Sequence, residues 1–152
     1  MIKLSKIYES IVEDLTFETF VDEDRITISG FLNKKNIGYI ILEDVINGYW
    51  MFEEVMNEDD YYELFPDDRF YIIEVIKVFD NHQGGGYGKE LMGKAIEYVK
   101  SNNGDRIYLN ASPMGNRGLG IDDLVQFYKK FGFQIIPHTD NWTHNKEMLL
   151  KL

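Results

Sequence analysis

The chain has no cysteine, which removes disulfides, thiol nucleophiles and thiolate metal sites together. Histidine is scarce as well. His82, His138 and His144 are the whole supply, scattered with no metal-ligand spacing among them, so no metal site is expected. Basic residues are outnumbered, 16 Lys and Arg against 26 Asp and Glu, for a formal net charge of -10. Nucleic acid and anionic lipid are therefore poor partners, since both are held by Lys and Arg. The acidity suits a cationic substrate, or solubility alone. Long apolar runs are missing too. Met1 to Leu15 is broken by Lys3, Lys6, Glu9, Glu13 and Asp14, so it reads neither as a signal peptide nor as a membrane span, and a cytoplasmic protein is expected.

What is present is enough for one substantial core: 152 residues, with no repeat or low-complexity linker, expected to form a single domain over 1–152. Leu4, Ile7, Tyr8, Ile11, Val12 and Leu15 make one stripe of a short amphipathic helix. Phe17 to Val21, Arg25 to Leu32 and Ile37 to Leu42 read as strands of an antiparallel meander, turning at Asp22-Glu23-Asp24 and Asn33-Lys34-Lys35-Asn36. Glu43 to Asp68 interleaves aromatics with acids, and Asn57 suits the cap of a short helix ending before Pro66. This segment has two readings: the rim of an amine site, through charge and cation–π contact, or a flap with aromatics inward and acids in water.

Phe70 to Val78 is a strand rich in β-branched and aromatic residues. Leu91, Met92, Ala95, Ile96 and Val99 then recur at helical spacing, stopped at Asn102-Asn103-Gly104. Between them lies Gln83-Gly84-Gly85-Gly86-Tyr87-Gly88-Lys89. A glycine turn opening a helix leaves N–H groups without partners at the positive end of a dipole, an arrangement that suits an anion. Glu90 after Lys89 excludes a P-loop, and Lys89 and Leu91 stand where a dinucleotide fingerprint needs its third glycine. Arg106 to Ala111 reads as a strand parallel to the one before the turn. Ile121 to Phe131 reads as a helix stopped at Gly132, with Phe133 to Ile136 and Glu147 to Leu152 as closing strands.

The pattern Gln83-x-x-Gly86-x-Gly88, after a valine-ended strand, resembles the pyrophosphate loop of the GNAT (Gcn5-related) N-acetyltransferases. Phe127-Tyr128-Lys129-Lys130-Phe131-Gly132-Phe133 resembles the Tyr-x-x-x-Gly-Phe signature of the same family. The resemblance covers roughly Arg69 to Leu152. It implies an α+β, three-layer fold: a mixed, mostly antiparallel sheet of six or seven strands with one splayed parallel pair and flanking helices. It further implies acetyl-coenzyme A as co-substrate and an N-acetyltransferase working by direct transfer in a ternary complex. The acceptor would be a small-molecule or protein amine, with a homodimer left open.

Carried over residue by residue, the resemblance puts the diphosphate on Gln83, Gly84, Gly85, Gly86, Tyr87, Gly88 and Lys89, and the pantetheine arm on the main chain of Ile76, Lys77 and Val78. Tyr128 becomes the proton donor to the thiolate; its other reading is a member of a buried helix stripe. Glu74 becomes the base, sharing a face with Ile76 and Val78 if the strand is unbulged, or else it is an edge or salt-bridged carboxylate. The asparagine that many members carry seven residues before the tyrosine is Ile121 here, and Asn110 or Asn116 is the substitute. Two rival functions stand beside this one: a non-catalytic coenzyme A binder, and an acidic interaction protein whose glycine turn holds nothing.

Overall fold

The computed structural model describes residues 14–113 and 120–152. The helix expected from Leu4 lies outside that range except for Leu15, which instead opens a strand, and Asn116 lies outside it as well. Three strands, β1 (Leu15–Asp22), β2 (Arg25–Leu32) and β3 (Lys35–Ile46), form the expected meander. Asn33 and Lys34 both take positive φ, 51° and 72°, the two-residue turn whose twist matches its flanking strands. β3 runs past Leu42 because Glu43 points to the face opposite Leu42, and Asp44 pairs with Arg69 at 3.0 Å.

The chain then forms a short 3-10 turn at Gly48–Met51 and helix α1 (Glu58–Leu64), whose Asn57 cap accepts from the Asp60 N–H. Next come β4 (Arg69–Val78), α2 (Tyr87–Ser101), β5 (Arg106–Ala111), α3 (Ile121–Lys129), β6 (Gln134–Ile135) and β7 (Lys146–Lys151). The seven strands lie in the order β1-β2-β3-β4-β5-β7-β6, antiparallel except for β4 beside β5. No helix among the described residues is long and apolar enough to cross a membrane.

Each face of the sheet has its own core. On one, α2 buries Leu91, Met92, Ala95 and Val99 and α3 buries Val125 and Tyr128 against Ile26, Ile28, Ile40, Leu42, Tyr71 and Ile73. At about 1.5–3 kcal/mol for each large apolar side chain, this burial is what docks both helices. On the other, Phe52, Tyr61 and Phe65 pack on Phe70, Tyr108 and Leu149. The aromatic–acidic segment thus sends these three rings inward. Glu53, Glu54, Glu58, Asp59 and Asp60 are exposed, and no residue of 43–68 lines the main cavity, which lies between β4 and β5.

Two irregularities in β4 shape that cavity. Ile41 pairs with Val75 but Leu42 pairs with Ile73, so Glu74 is an extra residue in a bulge. The bulge resets the alternation: Ile76 and Val78 pack against the same core as Tyr71 and Ile73. Glu74 therefore does not share their face, a correction to the unbulged reading. The second irregularity is the seam between β4 and β5, which holds only at Tyr71–Ile107, Ile72–Tyr108 and Ile73–Leu109. Beyond it the two strands part.

Candidate active site

The fork between β4 and β5 opens into a cavity of about 670 Å³, well within the range of small-molecule sites. β4 supplies Glu74, Ile76 and Val78 to its walls, β5 supplies Leu109 and Asn110, α3 supplies Leu124, Phe127 and Tyr128, and the glycine turn closes its mouth.

The turn takes its shape from a few local contacts. The Phe79 N–H still donates to the Ile37 carbonyl at 2.9 Å, and a 3-10 turn at Asp80–His82 comes next. Gln83 then reaches back, its Nε2 donating to the Val78 carbonyl oxygen at 3.0 Å. The side chain is thereby spent on closing the loop. Gly84 and Gly86 sit at φ 84° and 82°, conformations that side chains rarely tolerate. A Cβ built on either meets nothing within 4 Å, so the space above both backbones is open. Gly86 caps α2 without a side-chain hydrogen bond, and the N–H groups of a first helical turn have no acceptor within the helix. Open backbone at a dipole's positive end fits a diphosphate, with Lys89 on the same cavity as the nearby cation.

Tyr128 is 8% exposed, with its ring edge-on to Phe127 and Phe133. Burial raises its phenol above the ordinary tyrosine range, so the hydroxyl keeps its proton at neutral pH. Glu74 lines the cavity at the apex of the fork and also lies 3.6 Å from Arg25. The salt-bridged reading of Glu74 is thus present in the structure, on a side chain that also lines the cavity. Beside it, Glu43 is raised above the ordinary glutamate range, first by a hydrogen bond shared with Glu74, then by burial and by the charges of Glu74 and Asp24. Asn110 is the first β5 residue past the seam, and its Oδ1 accepts from Asn145 Nδ2 at 2.9 Å.

Of the residues singled out in the sequence, Glu74, Ile76, Val78, Gln83, Gly84, Gly86, Tyr87, Gly88, Lys89, Asn110 and Tyr128 all line this one cavity. Lys77 and Gly85 do not. Lys77 is exposed, and a Cβ at Gly85 would run into the Tyr87 ring at 2.7 Å. Sequence reasoning missed Arg25 and Glu43, which come beside Glu74 only because of register and the bulge, and Leu124 and Phe127 as walls. It also missed the His138–Glu147 pair at 3.1 Å, in which Glu147 is 7% exposed and faces Asn110 across the β5–β7 ladder. Burial, followed by Glu147, holds the Tyr108 phenol well above its ordinary range.

Solved structures of similar fold are acetyltransferases. The PaiA N-acetyltransferase from Thermoplasma acidophilum in complex with coenzyme A matches with a TM-score of 0.57 at 17% identity, over 85% of this chain and 62% of that one. The chain therefore spans less than two thirds of that protein's length. A GNAT family acetyltransferase from Elizabethkingia anophelis with acetyl-CoA bound matches at 0.61 and 14% identity, over 91% of this chain and 98% of that one. Arabidopsis thaliana Naa50 with a bisubstrate analogue matches at 0.54 and 20% identity, over 83% and 72%. Comparison with curated proteins finds no match. The sequence model of the acetyltransferase (GNAT) family matches residues 4–133, a span that takes in the fork, the glycine turn and α3, and on that match the chain belongs to this family.

Proposed function

We propose that this chain moves an acetyl group from acetyl-coenzyme A to an amine by direct transfer in a ternary complex, since no cysteine is present to carry an acyl group. The observation that carries this reading is the convergence on one cavity of a glycine turn, a parted pair of parallel strands and a buried tyrosine. The co-substrate supplies an activated acetyl carbon: a C–N bond forms as the C–S bond breaks, the amine gives up a proton and the thiolate gains one.

In this reading the main chain of Ile76, Lys77 and Val78 holds the pantetheine arm. The backbone from Gly84 to Lys89 holds the diphosphate, in a loop that Gln83 fastens to the end of β4. Tyr128 keeps its proton in the buried wall and gives it to the departing sulfur. Glu74 takes the proton of the amine, directly or through one water. An alkylamine with a pKa of ~10.4 needs that help, since removing its proton at neutral pH costs roughly 4 to 5 kcal/mol. The net charge of -10 supports a cationic acceptor, a small molecule or a protein amine.

The deciding experiment follows acetyl-coenzyme A consumption over a panel of amines, with Glu74→Gln and Tyr128→Phe alongside. Turnover of at least one amine, lost in both variants, is the expected result. Binding of acetyl-coenzyme A with no amine acetylated would make the chain a non-catalytic binder instead.

A further inference from the structure

Asn110 stands at the apex of the fork, one residue beyond the last β4–β5 pair, where the corresponding position on β4 is Glu74. It lines the cavity, whereas Asn145 does not. Asn145 precedes β7, on the side of β5 away from β4. Its Nδ2 donates to the Asn110 Oδ1 at 2.9 Å. A carboxamide carries its oxygen and its NH2 on opposite sides of one carbon. With the oxygen held by Asn145 on the β7 side, the NH2 lies on the part of the carboxamide away from Asn145.

Asn145 is itself held. It joins β7 at Lys146, whose ammonium donates to the Thr139 and Asp140 carbonyls, and the next residue is Glu147, bound to His138. The turn before β7 is thereby tied down at the point from which Asn145 reaches β5.

We infer that Asn145 is a positioning residue: it fixes the carboxamide of Asn110 with its NH2 facing the fork, where that NH2 donates to the acetyl carbonyl oxygen. A neutral donor has nothing to offer an ammonium or the lone pair that must attack, and it does suit a carbonyl oxygen that gains negative charge as the reaction proceeds. The two sides of the fork then divide the work, with Glu74 of β4 serving the nitrogen and Asn110 of β5 serving the oxygen. This inference rests on the acetyltransferase reading.

Isotope-edited infrared spectroscopy of carbonyl-13C acetyl-coenzyme A bound to the protein tests it without any acceptor. In the native protein the thioester carbonyl band should lie below its position in free acetyl-coenzyme A. Asn145→Asp keeps the shape but offers only acceptors, so the Asn110 NH2 should turn to face it. The band should then return to the position seen in Asn110→Ala, while calorimetry shows the Kd for acetyl-coenzyme A changed by about fivefold or less, the worth of one neutral hydrogen bond. A band unmoved by Asn145→Asp overturns the inference. So does binding weakened more than about tenfold by Asn145→Asp, which would assign Asn110 to the arm instead. Absence of acetyl-coenzyme A binding by the native protein would instead remove the acetyltransferase reading itself.

Discussion

Replacing Gly88 by alanine separates what the fold wants from what the site wants. Gly88 lies in the first turn of α2, and a Cβ built on it would rest 3.7 Å from Phe127 Cζ and 3.9 Å from Val78 Cγ2. These are ordinary contacts, so nothing in the protein has to move. Alanine is preferred over glycine in a helix by up to about 1 kcal/mol. Unliganded stability should therefore hold or rise, with Tm up by about 2–4 °C at most for a domain of this size. The same methyl stands on the cavity wall, over the N–H groups proposed to meet a diphosphate. Losing one charge-assisted hydrogen bond, about 2 kcal/mol, weakens binding about thirtyfold. At a coenzyme A concentration of 100 times the native Kd, ligand stabilisation is then about 0.9 kcal/mol in place of about 2.7. Thermal unfolding with and without coenzyme A reads both quantities in one experiment. If Gly88→Ala kept the full ligand-induced rise in Tm, the backbone of the turn would not face the diphosphate. Gly86→Ala is the contrast: at φ 82° with open space around its Cβ, its cost of about 1–2 kcal/mol comes from the backbone alone and appears before any ligand is added.

Three further outcomes are expected. Tyr128→Phe keeps the buried ring, so Tm should stay nearly constant while turnover falls by about a hundredfold or more; unchanged turnover would remove the acid role. Glu43 has a raised pKa because it shares a hydrogen bond with Glu74, so the folded state holds a proton that the unfolded chain releases at lower pH. The stability it contributes is whole below the ordinary glutamate range and lost as pH rises through the raised value. Urea unfolding should then show Glu43→Gln gaining on the native protein as pH rises from the ordinary glutamate range through the raised value, and a gap that does not change with pH would refute the shared proton. Gly38→Ala places a Cβ on the Lys77 carbonyl oxygen, a clash with backbone that should cost about 1–3 kcal/mol in urea unfolding and distort the end of β4 proposed to hold the pantetheine arm.

The sequence made local elements legible and left cross-strand relations hidden. The cap at Asn57, the turn opening at Asn33, the glycine turn and the helix end before Gly132 are set by chemistry within a few residues; the cap stands where the letters put it, the turn closes after Lys34 because Lys35 and Asn36 already pair in β3, and the helix ends at Lys129, two residues early. The end of β3 was not legible, because Glu43 and Asp44 interrupt an apolar run while answering partners on other strands. Nor was the bulge at Glu74, which depends on how Ile41 and Leu42 register against β4. That one extra residue decides which face Ile76 and Val78 take, and no period-2 count along β4 reveals it. Tyr128 could be placed from the sequence because its helix and its neighbours share a periodicity. Asn145 could not, since it sits in a polar connection and matters only through a residue 35 positions away.

The three-rung seam has one more consequence. Past Ile73 and Leu109 the pairing of β4 with β5 stops, so on the acetyltransferase reading the fork is best filled by something that can itself pair like a strand. Pantetheine carries two amides, and lying there it would complete the ladder as a surrogate strand. A short alkyl thioester bears the same acetyl group but no amides, and it should be a poor donor for that reason alone. Amide hydrogens of the diverging segments that face the fork, rather than β3 or β7, should exchange faster in the unliganded protein and slow when the surrogate strand is in place.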